Sequence, residues 1–144
     1  MDSRNLDIKL LDTNCLPKKH LNGAAWDIRS NLPTFELKAG QTVKVPTGIK
    51  LDLPHDVCAI ILPRSGLGGD YGLHLRNTIG LIDPDYRGEV FVKLSTKKAI
   101  EIPRYSRFAQ IIFLPYINIV NLNITREISE TERGASGFGD SGVE

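Results

Sequence analysis

Short runs with strand periodicity recur along almost the whole chain, and none of them lengthens into a segment with the period of an amphipathic helix. Leu6, Ile8 and Leu10 alternate with Asp7 and Lys9, and Ile49, Leu51 and Leu53 alternate with Lys50 and Asp52. Val57 to Leu62 is an unbroken apolar run of strand length that stops at Pro63-Arg64-Ser65-Gly66. Thr34 to Leu37, Thr42 to Val45, Ala99 to Ile102, Arg107 to Leu114 and the β-branched Ile117 to Thr125 read as further strands, and Ala24-Ala25-Trp26 leads into a short one carrying Asp27. Roughly ten or more such runs, spaced close to 8 to 12 residues and separated by turn-forming residues, predict an all-β sandwich or barrel. Lys38-Ala39-Gly40-Gln41 is expected to join two of them as a hairpin connection. A helical turn fits only after Ser65, an acceptable N-cap, and the glycines at 66, 68 and 69 oppose a helix there.

Length and charge narrow the function classes. The 144 residues suit one domain, and 41% apolar content is enough for a core. Eighteen Lys+Arg against seventeen Asp+Glu leave a formal net charge of +1, so no overall field recruits nucleic acid and any anion site must be local. Cys15 and Cys58 have no CxxC spacing and make no disulfide framework, which predicts reduced thiols in an intracellular, cytoplasmic protein, or one in a host cell's cytoplasm if the source is viral. Charges interrupt the amino-terminal residues, and no apolar run approaches the roughly 18 residues of a membrane span. From Ser129 the pattern dissolves. Residues 1–132 are expected to form the barrel domain and 133–144 a glycine-rich mobile arm, in which Phe138 makes sense if the arm folds over a flat ligand.

Candidate chemistry gathers around Leu75 to Leu94. Its right flank, Val90, Val92 and Leu94 against Glu89, Phe91 and Lys93, has strand period, and Asp83-Pro84-Asp85-Tyr86 spells a turn, so the stretch is expected to form a β-hairpin. Two readings of the turn stand. Asp83 starts a type I turn and Tyr86 caps a core, or the acid, the aromatic ring and Arg87 hold a small ligand against the main chain. Arg64-Ser65-Gly66 is likewise either a strand-to-turn transition or a phosphate cradle of guanidinium, hydroxyl and accessible backbone N–H, although no GxxxxGK[ST] occurs. Arg107 and Gln110 add a cation and an amide, and Arg133-Gly134 precedes Gly137-Phe138-Gly139. Together these describe a polyphosphate site, with Asp27 and Asp83 as acids able to orient water. His20, His55 and His74 lack ligand spacing and are assigned to surface or packing.

Taken in chain order, AAWDI, PRSGLG, GLIDPDYRGEV, RFAQIIF and RGASGFGDSG resemble the five motifs of the trimeric dUTPase family, over residues 24–142. The resemblance implies a jelly-roll-like, distorted β-barrel protomer with a flexible C-terminal arm. It also implies a homotrimer with sites built from three chains, no nucleic-acid or membrane partner, and Mg²⁺-dependent hydrolysis of dUTP to dUMP and pyrophosphate. That activity limits uracil incorporation into DNA and supplies dUMP for dTMP synthesis. By the same resemblance Asp83 orients the water that attacks the α-phosphorus, and Tyr86 packs under the deoxyribose and excludes a 2′-hydroxyl. Asn77 and the main chain at Gly80, Leu81, Ile82 and Phe91 read the uracil edge. Arg64, Ser65, Gly66 and Gln110 match phosphate-contacting positions, and Arg133, Phe138 and Gly139 match the arm that closes over γ-phosphate and base. Asp27 is expected to act behind these groups, paired with Arg107. The ion sits on phosphate oxygens and water, so no direct protein ligand is named.

The chain departs from the family pattern in three places. Ala25 replaces a usual Gly, and Gly68 and Gly69 replace better helix formers, which is expected to loosen the phosphate turn. In the arm, Ser136 stands for a usual Gly and Asp140 for a common Ser, and an acid there repels a triphosphate, implying weaker closure. The nearest rival activity is dCTP deamination, whose catalytic Glu corresponds to Lys93 here, and a lysine cannot shuttle that proton. A rival of another class is a nucleotide-gated regulator that switches contacts with a protein partner through the same pocket.

Overall fold

The computed structural model describes residues 3–137. Within them twelve strands form, β1 (Asp7–Leu10), β2 (Lys18–Lys19), β3 (Trp26–Arg29), β4 (Phe35–Leu37), β5 (Thr42–Pro46), β6 (Ile49–Asp52), β7 (Val57–Pro63), β8 (His74–Leu75), β9 (Gly80–Ile82), β10 (Phe91–Ser95), β11 (Ile100–Ile102) and β12 (Arg107–Pro115), with one α-helix, α1 (Ser65–Tyr71), and a single 3₁₀ turn at Thr13–Cys15. The all-β expectation therefore holds. Every strand pairing is antiparallel, and three of them nest: β5 with β10, β4 with β11 and β3 with β12. A long hairpin that folds back on itself in this manner is the wrapping of a jelly roll. The sheet orders are β1-β6, β5-β10-β8, β11-β4 and β2-β3-β12-β7-β9.

Alternation decides which face each strand buries. Val57, Ala59 and Ile61 point inward from β7 while Cys58, Ile60 and Leu62 are half-buried, so the unbroken apolar run resolves into a two-sided strand. Val92 and Leu94 of β10, Ile28 of β3, Leu37 of β4, Val45 of β5 and Phe108 and Ile111 of β12 enter the same core. All four sheets thus close on one interior, a distorted barrel.

Two expected hairpins are corrected. Lys38 to Gln41 does form a turn, with Gln41 N–H donating to Lys38 O at 3.1 Å, but β4 and β5 leave it for different partners, β11 and β10. Likewise Gly80–Ile82 pairs with β7, whereas Phe91–Ser95 pairs with β5 and β8, so the two flanks of Asp83 to Val90 do not form a ladder with each other. In both cases local chemistry makes the turn, while burial on two sheets chooses the pairing. The third correction concerns Ile117 to Thr125, which is not a strand. Both edges of β12 are already taken by β3 and β7, and the segment after Pro115 runs exposed, with Ile117 at 84% and Ile124 at 103%.

The helix that follows Arg64 forms despite its glycines. Arg64, not Ser65, is its N-cap, and no side chain caps it. Its C-terminus explains its persistence: Gly72, at φ 66°, takes the left-handed conformation, and Gly72 and Leu73 N–H donate to Gly68 and Leu67 carbonyls at 3.0 and 3.2 Å.

Away from the site, a clasp ties the amino-terminal turn to the loop before β12. Tyr105 holds a strained φ of 63°, fixed by its N–H on Ser30 O (2.7 Å), by Arg29 Nη1 on its carbonyl (2.9 Å) and by its hydroxyl donating to Asp12 Oδ2 (2.8 Å). The Asn14 backbone N–H and the Tyr105 hydroxyl hold the Asp12 carboxyl below the ordinary range. A lowered folded value means the unfolded chain binds more protons, so this contribution is present above the ordinary carboxylate range and vanishes as pH falls through the folded value. In thermal unfolding from pH 6 to 3, Asp12→Asn is expected to flatten the fall in Tm at the acid end; a slope equal to that of the parent protein would show that the clasp carries no such linkage.

Candidate functional site

Three adjacent strands of the large sheet assemble a charged cluster. Gln110 on β12 lies opposite Asp27 on β3 and opposite Leu62 on β7, and Arg64 follows directly where β7 ends. Asp27 is buried and held from two sides, by Arg64 Nε on Oδ1 at 3.2 Å and Arg107 Nη1 on Oδ2 at 3.0 Å. Arg64 Nη1 also donates to Arg107 O at 2.9 Å, and Gln110 Nε2 donates to Pro63 O at 2.8 Å. One carboxylate between two guanidiniums leaves the cluster one positive charge in excess, with both arginine side chains about one-third exposed (31% and 30%). Buried and doubly bonded, Asp27 orients the two cations instead of facing solvent, and their remaining N–H groups can receive phosphate oxygens. Ser65 and Gly66 begin α1 beside Arg64, both exposed.

A second group forms where β9 and β10 diverge. A cavity of 670 Å³ is bordered by Asn77, Gly80 and Phe91, and a neighbouring one of 280 Å³ by Leu81, Ile82, Asp83, Tyr86 and Phe91. Asp83 O accepts from Tyr86 N–H at 3.2 Å, closing the expected turn with the Asp83 side chain outward. The Tyr86 hydroxyl donates to Glu89 O at 2.8 Å, which folds the ring back over Gly88, where an added Cβ would collide with the hydroxyl and the ring edge. The loop is anchored from the other side by Thr47 Oγ1 on Val90 O (2.6 Å) and Gly48 N–H on Glu89 Oε1 (3.0 Å). Tyr86 is therefore not a core cap. It is 43% exposed and walls the smaller cavity.

Gly88, Glu89 and Thr47 escaped the sequence reading. The first had a signal, a glycine two residues after an aromatic turn residue. The other two had none, because their partners are remote in sequence.

The two groups do not meet within one protomer. Along β7, Ile82 lies opposite Ala59, so Asp83 comes opposite Cys58, while Arg64 leaves the far end. At roughly 3.3 Å per residue the pair is about 20 Å apart along the strand. Arg133 lies in the exposed segment and donates to Ser136 O at 3.0 Å, and Phe138, Gly139 and Asp140 fall outside the described residues. Among the described residues no three His, Cys, Asp or Glu side chains converge as a metal site, and no helix is long and apolar enough to cross a membrane.

Residues 12–142 match the dUTPase family profile. The chain is 36% identical over 149 residues to the deoxyuridine 5'-triphosphate nucleotidohydrolase of Haemophilus influenzae strain Rd, covering 96% of this chain and 98% of that one. It is 39% identical over 145 residues to the enzyme of the same name from Burkholderia mallei, covering 95% and 97%. Among solved structures, the Staphylococcus bacteriophage 80alpha dUTPase with dUPNHPP superimposes with a TM-score of 0.85 at 25% identity, over 98% of this chain and all of that chain (100%). A point variant of the dUTPase from phage phi11 of S. aureus, which coordinates a structural Mg(II) ion, shares the fold with a TM-score of 0.76 at 19% identity, over 86% of this chain and 98% of that chain.

The packing of Tyr86 yields a contrast between two glycines. Gly88→Ala must displace the ring and is expected to cost about 1–3 kcal/mol by overpacking. Gly66→Ala, where a Cβ meets nothing within 4 Å, is expected to be neutral or stabilising. Denaturant titration of both variants checks this, and equal effects would remove the proposed constraint on the ring.

Proposed function

The chain belongs to the dUTPase family, and from that premise we infer that it is a dUTP diphosphatase, cleaving dUTP to dUMP and pyrophosphate. The observation that carries this reading is the position of Asp83, an outward carboxylate on a rigid turn at the mouth of a groove bordered by main chain and Tyr86. Uracil lies between the outer edge of β9 and the start of β10, where unpaired peptide groups offer the donors and acceptors that a pairing base would. Asn77 adds a side-chain amide. The deoxyribose rests on Tyr86, whose ring, locked by Glu89 O, leaves no space for a 2′-hydroxyl; the discrimination is a clash. Asp83 accepts a proton from water as its oxygen bonds to the α-phosphorus and the bond to the bridging oxygen of the diphosphate breaks, releasing pyrophosphate.

The triphosphate needs the cluster around Asp27, with Arg64, Ser65, Gly66 and Gln110 as contacts and Arg107 as support. Since Asp83 and Arg64 of one protomer face opposite ends of β7, the complete site takes its phosphate half from another copy. A homotrimer meets this requirement. The exposed apolar residues after Pro115, including Ile117, Val120, Leu122 and Ile124, would pack on a neighbouring copy and bring Arg133, Phe138 and Gly139 of the arm to the groove. Mg²⁺ fits as an ion carried by phosphate oxygens and water, since Asp27, the one buried acid among the described residues, is already engaged by two arginines. When bound it would supply charge neutralisation on the phosphates. The free thiols Cys15 and Cys58 suit a reducing, cytoplasmic setting.

Pyrophosphate release in the presence of Mg²⁺, measured on dUTP, UTP, dTTP and dCTP, is expected to be confined to dUTP. Asp83→Asn should lower kcat by about 10²–10⁴ with little change in KM. Equal turnover of dCTP, or an active Asp83→Asn variant, would overturn the reading.

A further inference from the structure

A row of three cations crosses the outer face of the β5-β10-β8 sheet. Lys44 and Lys93 are directly opposed partners, and Arg76 N–H donates to Lys93 O at 2.9 Å, placing it opposite Lys93 on the other side. Opposed residues of an antiparallel ladder share a face. The alternate residues, Val45, Val92, Leu94 and Leu75, are buried in the core, so Lys44, Lys93 and Arg76 all project outward, and all three are exposed. Lys44 Nζ lies 4.3 Å over the Phe91 ring.

This row has no counter-charge among the described residues. None of the five ion pairs found there involves it, and like charges directly opposite in a ladder destabilise a sheet. It also walls the 670 Å³ cavity, whose other polar side chains are Thr42 and Asn77, with no Asp or Glu among the lining residues. The contrast with the large sheet is chemical. There Asp27 already balances one of two guanidiniums, whereas here three cations, a hydroxyl and an amide surround a space without an acid.

We propose that this face is a second anion site, which binds a small polyanion of the phosphate class through Lys44, Lys93 and Arg76 and is separate from the Asp27–Arg64–Arg107 cluster. The arginine fork pairs with two oxygens of one phosphate group and the lysines act as point charges on the next. An ammonium held over Phe91 is kept near the cavity mouth instead of dispersing into solvent. Binding relieves the mutual repulsion of the row, so occupancy stabilises the fold. Two sources share this chemistry, free pyrophosphate and the triphosphate of a nucleotide. The cavity is the one whose Asn77, Gly80 and Phe91 side the reading above gives to uracil, so an anion on its Lys44, Lys93 and Arg76 side lies next to the base and not in a space apart from it.

The test uses the full chain in phosphate-free, low-salt buffer, with calorimetric titration of pyrophosphate and, separately, of a non-hydrolysable dUTP analogue, alongside thermal unfolding. The double variant Arg76→Gln/Lys93→Gln is expected to melt higher than the parent without ligand, because the repulsion is gone. It should bind pyrophosphate at least tenfold more weakly and lose the rise in Tm that pyrophosphate gives the parent. Lys44→Gln should show a smaller loss, and Arg64→Gln should keep this binding. A matching loss of analogue affinity in the double variant, with deoxyuridine bound as by the parent, assigns the site to nucleotide phosphates, and an analogue affinity left intact assigns it to free pyrophosphate. Pyrophosphate affinity unchanged in the double variant and abolished by Arg64→Gln would overturn the proposal, as would a parent protein that binds no pyrophosphate.

Discussion

The outer edge of β9 is the constraint on which the rest of the site depends. In the order β2-β3-β12-β7-β9 it is the last strand, hydrogen-bonded to β7 through Gly80, Leu81 and Ile82 and to no other strand. Its neighbour in space, β10, is committed to β5 along its length and to β8 only at Leu94 and Ser95, with Arg76 N–H reaching Lys93 O just beyond. The start of β10 is therefore unpaired on the side that faces β9. Two open backbone edges beside one cavity form a hydrogen-bonding surface with the spacing of a strand and no strand to fill it. A flat heterocycle with alternating donors and acceptors is the natural occupant.

Rigidity comes from what surrounds that gap. The loop from Asp83 to Val90 could swing freely between two sheets, yet it is tied at both ends and in the middle, by its own turn, by Tyr86 on Glu89 O, and by Thr47 and Gly48 holding Val90 and Glu89. Arg87 adds an exposed pair with Asp52 at 2.8 Å, worth little energy, but it points the loop the same way. The turn that carries Asp83 is consequently held by hydrogen bonds and packing on both sides. Farther across the same five-stranded sheet the logic is reversed, since Asp27 is spent on aligning cations.

How much of this could be read from residues alone follows from the range of the forces involved. The turn at Asp83-Pro84-Asp85-Tyr86 was legible because proline and aspartate act within four residues, and the inward face of β10 follows from period-two alternation, whereas the unbroken apolar run of β7 carried no alternation to mark its inward face. The pairing of Asp27 with Arg107 was expected from the family resemblance and is found at 3.0 Å. Partner choice was not legible. Nothing in Gly80 to Ile82 says that β7, about twenty residues earlier, will outcompete the nearby Phe91 to Ser95. The strand expected at Ile117 to Thr125 failed for a related reason, since β-branched composition describes a preference for being paired and cannot supply the edge. The opposition of Lys44 and Lys93 likewise exists only through the register of β5 on β10.

The most direct measurement of the central claim is a crystal structure of the full chain with a non-hydrolysable dUTP analogue. The account predicts uracil lodged between the outer edge of Gly80–Ile82 and Phe91, the sugar on Tyr86, and the Asp83 carboxylate facing the α-phosphorus, with Arg64 of another copy on the phosphates. A base bound anywhere else, or Asp83 turned away from the scissile bond, would contradict it.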